Sequence, residues 1–405
     1  MSDESTLPPP AALDGVSVIE VGVFIAAPFA TLQLADLGAD VVKVENLDGE
    51  PVRASGPFVN GESSTFLRLN RSKRSVALDL KSPEGKRAFL RLAAKADVVV
   101  ENLRPGAMRA LGLSYDDVRA VNPRVVYASA SGFGQDGPLA DRPGLDIMAQ
   151  ARGGLMSITG APGASPAKIG VPVCDLVCAL YAALGIVAAL RERDRSGEGQ
   201  YLDVSLLESA VSLAVWEAGR FFATGEIGRP LGSAHQSEAP YQAVRSADGW
   251  LTLGAITPKT WAALCSALDL ERVQDDPRFA TSSLRHVHRG ELIPLIEEQT
   301  MTLTTAAAIE RLEQVGIPCA PIADYGAVFT DAHLAARDFF WDAPHRVAGA
   351  VRQIGSPLRL SRTPPRRGAA APMLGAHTRE VLREAGYSNE EVDALIAARA
   401  AAVTP

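Results

Sequence analysis

Short apolar runs rich in valine alternate with longer segments of helical period over the first half of the chain. The runs with the length and composition of buried strands cover residues 15–21, 40–45, 74–80, 97–101, 124–129 and 200–205. Between them, apolar residues recur at helical spacing over 27–37, 83–96, 106–111 and 176–193. Runs that are apolar on both faces are typical of parallel sheets covered by helices on each side. The pattern therefore predicts an α/β fold with a doubly wound, Rossmann-like, six-stranded parallel sheet.

The pattern changes after a further helix near residues 206–223. Residues 225–236 combine glycine, proline and polar side chains, which is typical of a linker. Two alternating runs then flank Asp248-Gly249, a pair that favours a hairpin turn, and helical patterns follow. The predicted organisation is a large α/β domain starting with 1–205, a helix and linker at 206–236, a small α+β domain at 237–323, and a return to the large domain with C-terminal helices over 324–405.

Composition and charge narrow the classes of partner. The 405 residues carry a formal net charge of −7, so no basic field favours binding to nucleic acid. The cysteines lack the paired spacing of zinc sites and disulfide frameworks, so we expect neither a metal nor disulfides; they are Cys174, Cys178, Cys265 and Cys319.

The sequence signals for export or membrane insertion are weak in two segments of the chain. Residues 1–13 are polar and proline-rich and lack the basic and apolar regions of a secretory signal, which favours a cytoplasmic protein. Residues 173–190 are apolar enough for a membrane span, but they contain Asp175 and follow Pro172. Small residues such as Ala179 suit close packing on a sheet. We therefore expect a buried helix and no membrane partner.

Residues 132–137 match the pattern G-x-G-x-x-G directly after a predicted strand. That fingerprint binds a dinucleotide only when a helix N-terminus follows the glycines in the first β-α turn. Here Pro138 continues a loop, and the strand is the fifth of the series. The motif therefore does not predict NAD or FAD as a cofactor.

Asp175 is the outstanding ionisable residue, because it is the single carboxylate in an apolar run at the start of a predicted helix. Aspartate is among the best residues for capping a helix N-terminus, which gives a purely structural alternative. A poorly solvated carboxylate in the same place is also a competent nucleophile. The residues alone leave both interpretations open.

Basic residues lie near the ends of the predicted strands; they are Lys43, Lys73, Arg74, Lys81, Arg104 and Arg142. Each could be ordinary solvated surface. Grouped at one edge of the sheet, they would suit the phosphates of a nucleotide-tailed cofactor.

Ordered motifs over nearly the whole chain resemble those of the family III CoA-transferases. They include LDG at 13–15, LGADVVKVE at 37–45, NRSKRS at 70–75, ENLRPG at 101–106, the glycine loop from 132, GEGQ at 197–200, GIP at 316–318 and LGAHT at 374–378. This family includes formyl-CoA transferases, carnitine CoA-transferases and α-methylacyl-CoA racemases. The resemblance implies transfer of coenzyme A between an acyl-CoA and a free carboxylic acid, in an interlocked homodimer.

The resemblance also implies roles for particular residues. Asp175 matches the family's Pro-x-x-Asp nucleophile, which forms aspartyl anhydride and aspartyl-CoA thioester intermediates. The implied contacts to CoA are Ala26, Leu78, Lys81, Asn102, Leu103 and Ala107, with Lys73, Arg74, Arg104 and Arg142 as further candidates. The candidates for the substrate and oxyanion loops are Gly134, Gln135, Leu145, Gly153 and Gly154.

Two departures bear on the alternatives. Related racemases have a histidine where this chain has Leu145, and a leucine cannot transfer a proton. The glycine-rich lid of formyl-CoA transferases has no counterpart in residues 232–242, which argues against formate and oxalate. An acyl-CoA racemase or isomerase and a non-catalytic CoA-binding partner subunit remain the alternatives, with Leu145 against the first and Asp175 against the second.

Overall fold

The computed structural model describes residues 10–404 and divides them into two compact units. The first unit contains residues 10–155, 169–219 and 333–404, and the second contains 156–168 and 220–332. The predicted small domain, 237–323, lies inside the second unit. That unit also takes in residues 156–168, which no local pattern distinguishes from the large domain.

Strands and helices alternate over the first part of the chain. In order they are β1 (Ser17–Val21), α1 (Ala26–Asp36), β2 (Asp40–Glu45), β3 (Phe58–Val59), β4 (Glu62–Ser63), α2 (Ser64–Leu69), β5 (Lys73–Leu78), α3 (Pro83–Ala93), β6 (Val98–Glu101), α4 (Ala107–Leu111), α5 (Tyr115–Val121), β7 (Val126–Ser131), α6 (Asp146–Arg152), α7 (Leu155–Ile158), α8 (Val173–Ser196), β8 (Tyr201–Ser205), α9 (Leu206–Ser212) and α10 (Val215–Thr224).

The remaining elements are shorter on average. They are β9 (Tyr241–Arg245), β10 (Trp250–Gly254), α11 (Pro258–Ala267), α12 (Glu271–Gln274), α13 (Ser282–Val287), α14 (Arg289–Thr300), α15 (Thr305–Gln314), β11 (Cys319–Pro321), α16 (Tyr325–Phe329), α17 (Ala332–Ala336), β12 (Phe340–His345), β13 (Gly349–Ile354), α18 (Thr378–Glu384), α19 (Asn389–Ala397) and β14 (Ala401–Ala402).

The large sheet is mostly parallel and has the strand order β14-β5-β2-β1-β6-β7-β8. The neighbouring strands from β5 to β8 all pair in parallel, at the places where the sequence predicts strands. The predicted number of six is wrong by one, because the two-residue β14 adds an antiparallel edge in which Ala401 pairs with Leu78. Two alanines near the end of a helix carry no strand pattern of their own.

The strand order reverses direction between β1 and β6. From β1 the chain proceeds outward to β2 and β5, whereas β6, β7 and β8 lie on the other side. Such a switch point leaves a crevice at the carboxyl ends of the two central strands, where open α/β sheets bind their ligands. In this chain the crevice is bordered by the residues after Val21 and after Glu101.

Helix α8 packs along one face of the sheet, beside α1. Its small residues Ala179 and Ala182 lie against Ala30 of α1, which permits close approach of the two helices. The prediction of a buried helix is correct for this face only, because Leu180 and Leu184 on the outer face are half-exposed or more. Within residues 10–404, α8 is the one helix long and apolar enough to cross a membrane by length and composition.

The second unit is built on a three-stranded antiparallel sheet of order β11-β10-β9. The predicted hairpin is confirmed, with Trp250 paired to Arg245 across the turn. Helices α11, α14 and α15 contribute Leu264, Leu292 and Leu312 to an apolar core beneath this sheet.

Candidate active site

Asp175 lies in the first turn of α8, two residues after the helix begins. The residue before the helix is Pro172, and no side chain of the cap position binds the first turn. In the part of the chain that the structure describes, the carboxylate of Asp175 accepts no hydrogen bond and forms no ion pair. The capping alternative therefore has no support from the geometry, since Asp175 does not satisfy the helix amides with its side chain.

Asp146, at the first position of α6, performs the capping instead. Its Oδ1 accepts the amide N–H of Cys174 at 2.8 Å, and its Oδ2 accepts the side-chain amide of Gln150 at 2.6 Å. The Oε1 of the buried Gln150 accepts the amide N–H of Ile169 at 2.8 Å. The Asp146 carboxylate thus links α6 to the start of α8 directly, and through Gln150 it links α6 to the segment that enters α8. The sequence analysis selected Leu145 as a site residue but not Asp146. An acidic residue next to a candidate site residue was the signal that could have identified it.

Burial raises the pKa of Asp175 to about 7, and the negative charge of Asp146 adds to the increase. The positive end of a helix dipole favours an ionised carboxylate, but its effect is small beside the loss of solvation without a cationic partner. Near neutral pH the side chain is therefore divided between an ionised and a neutral form. Perturbed acids of this kind cluster at functional sites.

The glycine motif at 132–137 follows β7 and leads into a loop, with α6 beginning nine residues later. The amide of Gly134 donates to the Ser131 hydroxyl at 3.0 Å, and the amide of Gln135 donates to Asp203 Oδ2 at 2.8 Å. Both N–H groups thus have acceptors within the chain. That these amides serve as oxyanion donors stays a prediction, and each would have to leave its present acceptor to do so.

The second glycine pair lies at the end of α6. Gly153 donates its amide to Ala149 at 2.8 Å, so this N–H is also engaged. A Cβ at Gly153 would lie 2.6 Å from the Cβ of Ala210, which explains the glycine by packing. Gly154 has a left-handed backbone with φ of +85° and open space around the Cβ position. Leu145 precedes α6 and its side chain is exposed.

Several of the residues expected to contact CoA meet at the switch point. Ala26 opens α1, and Asn102, Leu103 and Ala107 follow β6. Asn102 holds the loop after β1 from both sides: its Oδ1 accepts the Val23 N–H at 2.8 Å and its Nδ2 donates to the Val23 carbonyl at 2.9 Å. The side chain of Asn102 therefore shapes the crevice.

A cavity of about 100 Å³ opens beside this loop. Lys81 and Leu103 line it, together with Asn46 at the end of β2. Lys81 is exposed, so its ammonium group can reach a phosphate in solution.

The side chains of Lys73, Arg74 and Leu78 are buried or already paired, and their role as CoA contacts stays a prediction. Lys73 and Arg74 begin β5 and thus lie at its amino end, opposite the ligand-binding edge. Lys73 is buried, and its Nζ donates to Glu20 at 2.8 Å and to Asn70 at 2.9 Å. The side chain of Leu78 is fully buried in the core.

Arg74 has carboxylate partners of its own. Its guanidinium binds Asp40 at 2.5 Å, Glu384 at 2.8 Å and Glu380 at 2.9 Å. These ion pairs join the start of β5 to α18 and engage all three guanidinium nitrogens.

Arg104 and Arg142 lie on the correct side of the sheet, because both follow the carboxyl ends of strands. Arg142 is exposed in the loop after β7. Arg104 lines a separate, larger cavity rather than the one that Lys81 lines. Among residues 10–404, no group of three or more His, Cys, Asp or Glu side chains is arranged to hold a metal ion.

Comparison with known proteins identifies the family of this chain. The model of CoA-transferase family III matches residues 13–378. The chain is 37% identical over 374 residues to the succinyl-CoA:glutarate CoA-transferase of Mus musculus, covering 92% of this chain and 86% of the relative. It is 36% identical over 392 residues to the succinate–glutarate CoA-transferase of Agrobacterium fabrum, covering 95% and 98%.

Solved structures share the fold. A CAIB/BAIF family protein from Brucella suis superimposes with a TM-score of 0.85 at 34% identity, covering 93% of this chain and all of the other. Rv3272 from Mycobacterium tuberculosis superimposes with a TM-score of 0.83 at 30% identity, covering 92% and 100%. The chain therefore belongs to the family III CoA-transferases and is an enzyme of that class.

Proposed function

We propose that the protein moves CoA from an acyl-CoA donor to a free carboxylic acid, with Asp175 as the covalent carrier. The observation that carries this proposal is a partly buried carboxylate whose oxygens have no partner in the described structure, while Asp146 supplies the capping bond. An oxygen whose lone pairs are not committed to hydrogen bonds can approach a carbonyl carbon.

The first half of the reaction moves CoA onto the enzyme. A carboxylate oxygen of Asp175 attacks the thioester carbonyl of the donor, the C–S bond breaks, and CoA leaves as a thiolate. The product is a mixed anhydride. The thiolate then attacks the aspartyl carbonyl, the donor acid leaves as a carboxylate, and an aspartyl-CoA thioester remains.

The second half is the reverse with a different acid. The acceptor carboxylate attacks the aspartyl thioester, CoA leaves again, and a second anhydride forms. Attack of the thiolate on the acceptor's acyl carbon gives the new acyl-CoA and restores the Asp175 carboxylate. Each bond that breaks is replaced by one that forms, so no other reactant is consumed.

We infer a dicarboxylic acceptor and succinyl-CoA as donor. The support is that relatives with substantial identity are named for succinyl-CoA together with glutarate or mesaconate. Lys81, Leu103 and Ala26 border the crevice in which we place CoA. We expect Lys81→Met to raise the KM for acyl-CoA while kcat changes little, because an exposed ammonium contributes to binding rather than to chemistry.

The racemase alternative finds no second base at the expected place, because Leu145 cannot ionise. The alternative of a non-catalytic partner is opposed by the unpaired Asp175.

We further propose a homodimer working in the cytoplasm. The support for the dimer is a set of exposed apolar side chains, which are Leu180 and Leu184 on α8 and Val215 and Trp216 on α10. Light scattering of the wild type and of Leu184→Glu would test the dimer.

The decisive experiment mixes the protein with a panel of acyl-CoA donors and free acids and follows CoA exchange by mass spectrometry. Wild type should form a hydroxylamine-sensitive adduct on the peptide that contains Asp175, and Asp175→Asn should form none. Asp194→Asn, an exposed aspartate on the same helix, is the matched control and should exchange normally. Full exchange by Asp175→Asn would refute the proposal.

A further inference from the structure

Phe24 has a backbone conformation that is unfavourable for its residue type. It lies in the loop between β1 and α1, which borders the crevice, and its φ of +57° is in the left-handed region. Left-handed backbone is costly for a bulky residue, and Phe24 is half-exposed, so burial of its ring does not fully offset that cost. Such a conformation persists only where the surrounding structure imposes it, and it is frequent at sites that bind ligands.

Side chains from neighbouring strands fix the two residues before Phe24. Lys43, on β2, donates from its Nζ to the carbonyl oxygen of Gly22 at 2.9 Å. Asn102, after β6, binds both the amide and the carbonyl of Val23. These contacts fix the path of the chain as far as residue 24, and a third side chain holds the amide of Phe24 itself.

Glu50 is the side chain that binds the residue with the unfavourable backbone. Its Oε2 accepts the amide N–H of Phe24 at 3.0 Å, and its Oε1 lies 2.9 Å from the Nζ of Lys43. The side chain of Glu50 is buried, and its backbone amide donates to Glu45 Oε2 at 3.2 Å. One carboxylate therefore joins the Phe24 amide to the lysine that holds the start of the loop.

Simple electrostatics does not explain an acid at this place. Glu50 lines the same cavity as Lys81, beside the crevice in which we place CoA. The phosphates of CoA are negative, so a carboxylate here opposes binding by charge alone. Burial also raises the pKa of Glu50, and Lys43 opposes that increase only in part. The hydrogen bond from the Phe24 amide gives this acid a different use.

We propose that Glu50 is a positioning residue for CoA, which rests on the proposed function in that CoA must occupy this crevice. By holding the Phe24 amide and Lys43, Glu50 keeps the loop between β1 and α1 in the conformation that receives the ligand. A loop that is fixed before the ligand arrives loses little conformational freedom on binding, and this raises the affinity.

Calorimetry with free CoA as the probe tests this role without turnover. Glu50→Gln should weaken CoA by about tenfold, because the single amide oxygen can accept from the Phe24 N–H or from Lys43 but not from both. Loss of a negative charge would by itself tighten the binding of an anion, so the direction of the change separates positioning from electrostatics. Asp48→Asn, at an exposed acid two residues away, is the matched control and should not weaken CoA.

Steady-state exchange gives a second measure of the same variant. The KM for acyl-CoA should rise in Glu50→Gln by about the factor found for CoA binding, while kcat changes less than about threefold. If Glu50 served only the stability of the fold, a thermal melt of the variant would shift and the affinity of the folded protein for CoA would not.

Glycine at the strained position tests the cause of the loss. Phe24→Gly removes the penalty of the left-handed backbone, because glycine adopts that conformation readily. The effect of Glu50→Gln on CoA affinity should therefore shrink from about tenfold to less than about threefold when Phe24→Gly is also present. Phe24→Gly alone is the reference, since it accounts for any contact that the ring makes.

Glu50→Asp covers the case in which Glu50→Gln does not fold. It keeps a charge for Lys43 but is too short to reach the Phe24 amide as well, so it should also weaken CoA. The proposal is overturned if the folded Glu50 variants bind CoA as wild type does, or if Phe24→Gly leaves the loss unchanged. Should Lys81→Met also bind CoA as wild type does, CoA lies elsewhere and the proposed site fails too; if Lys81→Met weakens CoA, only the role of Glu50 is wrong.

Discussion

Asp175 and Glu20 occupy similar sequence contexts in the same unit, each a lone carboxylate in an apolar run, but the fold treats them in opposite ways. Glu20, on β1, is fully buried and binds Lys43 at 2.6 Å, Lys73 at 2.8 Å and the hydroxyl of Thr31 at 2.5 Å. Although burial raises the pKa of Glu20, the two lysines outweigh that effect and lower it to about 2. Asp175 has no such partner, and its pKa rises to about 7.

The difference separates a structural carboxylate from a chemical one. Both oxygens of Glu20 are bound to a lysine ammonium group, and one also accepts a hydroxyl, so the side chain joins β1, β2 and β5 and is not free to react. The oxygens of Asp175 remain free for a substrate at the cost of an unfavourable charge. Unpaired buried groups of this kind persist where function requires them.

The largest expected effect is on activity at Asp175. Asp175→Asn should reduce CoA exchange by about 10⁴-fold or more, because the covalent carrier is lost. The free energy of unfolding should not fall, since an amide replaces an acid that has no partner to lose. Steady-state exchange and denaturant unfolding measure the two quantities. If Asp175→Asn unfolded more easily than wild type, its inactivity would not show that Asp175 serves the chemistry and not the stability of the fold.

Glu20→Gln should produce the opposite phenotype. Loss of the charge leaves the buried Lys73 without its anion and leaves Lys43 with Glu50 alone, so the free energy of unfolding should fall by about 3–5 kcal/mol. Urea unfolding measures the change, with the exposed Glu298→Gln as a control that should unfold as wild type does. A stable Glu20→Gln protein would show that Glu20 is not the structural partner of Lys43 and Lys73.

Asp146→Asn sharpens the comparison at the active site. The amide oxygen can still accept the Cys174 N–H and the negative charge beside Asp175 is removed, while the new Nδ2 group faces the Gln150 amide and loses that hydrogen bond. We expect the pKa of Asp175 to fall and the acidic limb of the rate profile to move to lower pH, with kcat at high pH changed less than about tenfold. Asp146→Ala, which also removes the acceptor, should cost a further ~1 kcal/mol of stability. An unmoved acidic limb would exclude Asp146 as a cause of the raised pKa.

The smallest expected effects concern pH. The nucleophile must be ionised, so kcat/KM should fall as the pH decreases below about 7, the pKa of Asp175. The two carboxylates affect the pH dependence of stability in opposite directions. The raised pKa of Asp175 means that the folded state holds this proton more tightly, so its contribution to stability is lost as the pH rises from about 4 to 7. The lowered pKa of Glu20 contributes stability above about pH 4.5 that is lost as the pH falls towards 2.

Unfolding measured across this pH range, in wild type and in the two variants, checks the signs. Asp175→Asn should flatten the curve between pH 4 and 7, whereas Glu20→Gln should flatten it on the acidic side. These windows follow from about 4 and 4.5 as the unfolded values. Exchange of the two windows would show that the roles of the two carboxylates have been assigned the wrong way round.

The sequence by itself determined the positions of the six parallel strands, the helix that carries Asp175, and the family through its ordered motifs. These features depend on local periodicity and composition, which a chain displays residue by residue. Sequence also singled out Asp175, because a carboxylate in an apolar run is unusual wherever it occurs. It could not show that Glu20, in an equally apolar strand, is neutralised by two lysines.

Only the tertiary structure decided which charges meet. Lys73 begins β5 and Lys81 follows its end, and the two look equivalent in the sequence, but Lys73 is buried on Glu20 and Lys81 lines the crevice. Asp146 reaches α8 from another helix, and β14 joins the sheet from the far end of the chain. Strand order, register and burial set these distances, and distance and desolvation together set whether a charge is paired. The local pattern of residues determines neither the distance between two charges nor their desolvation.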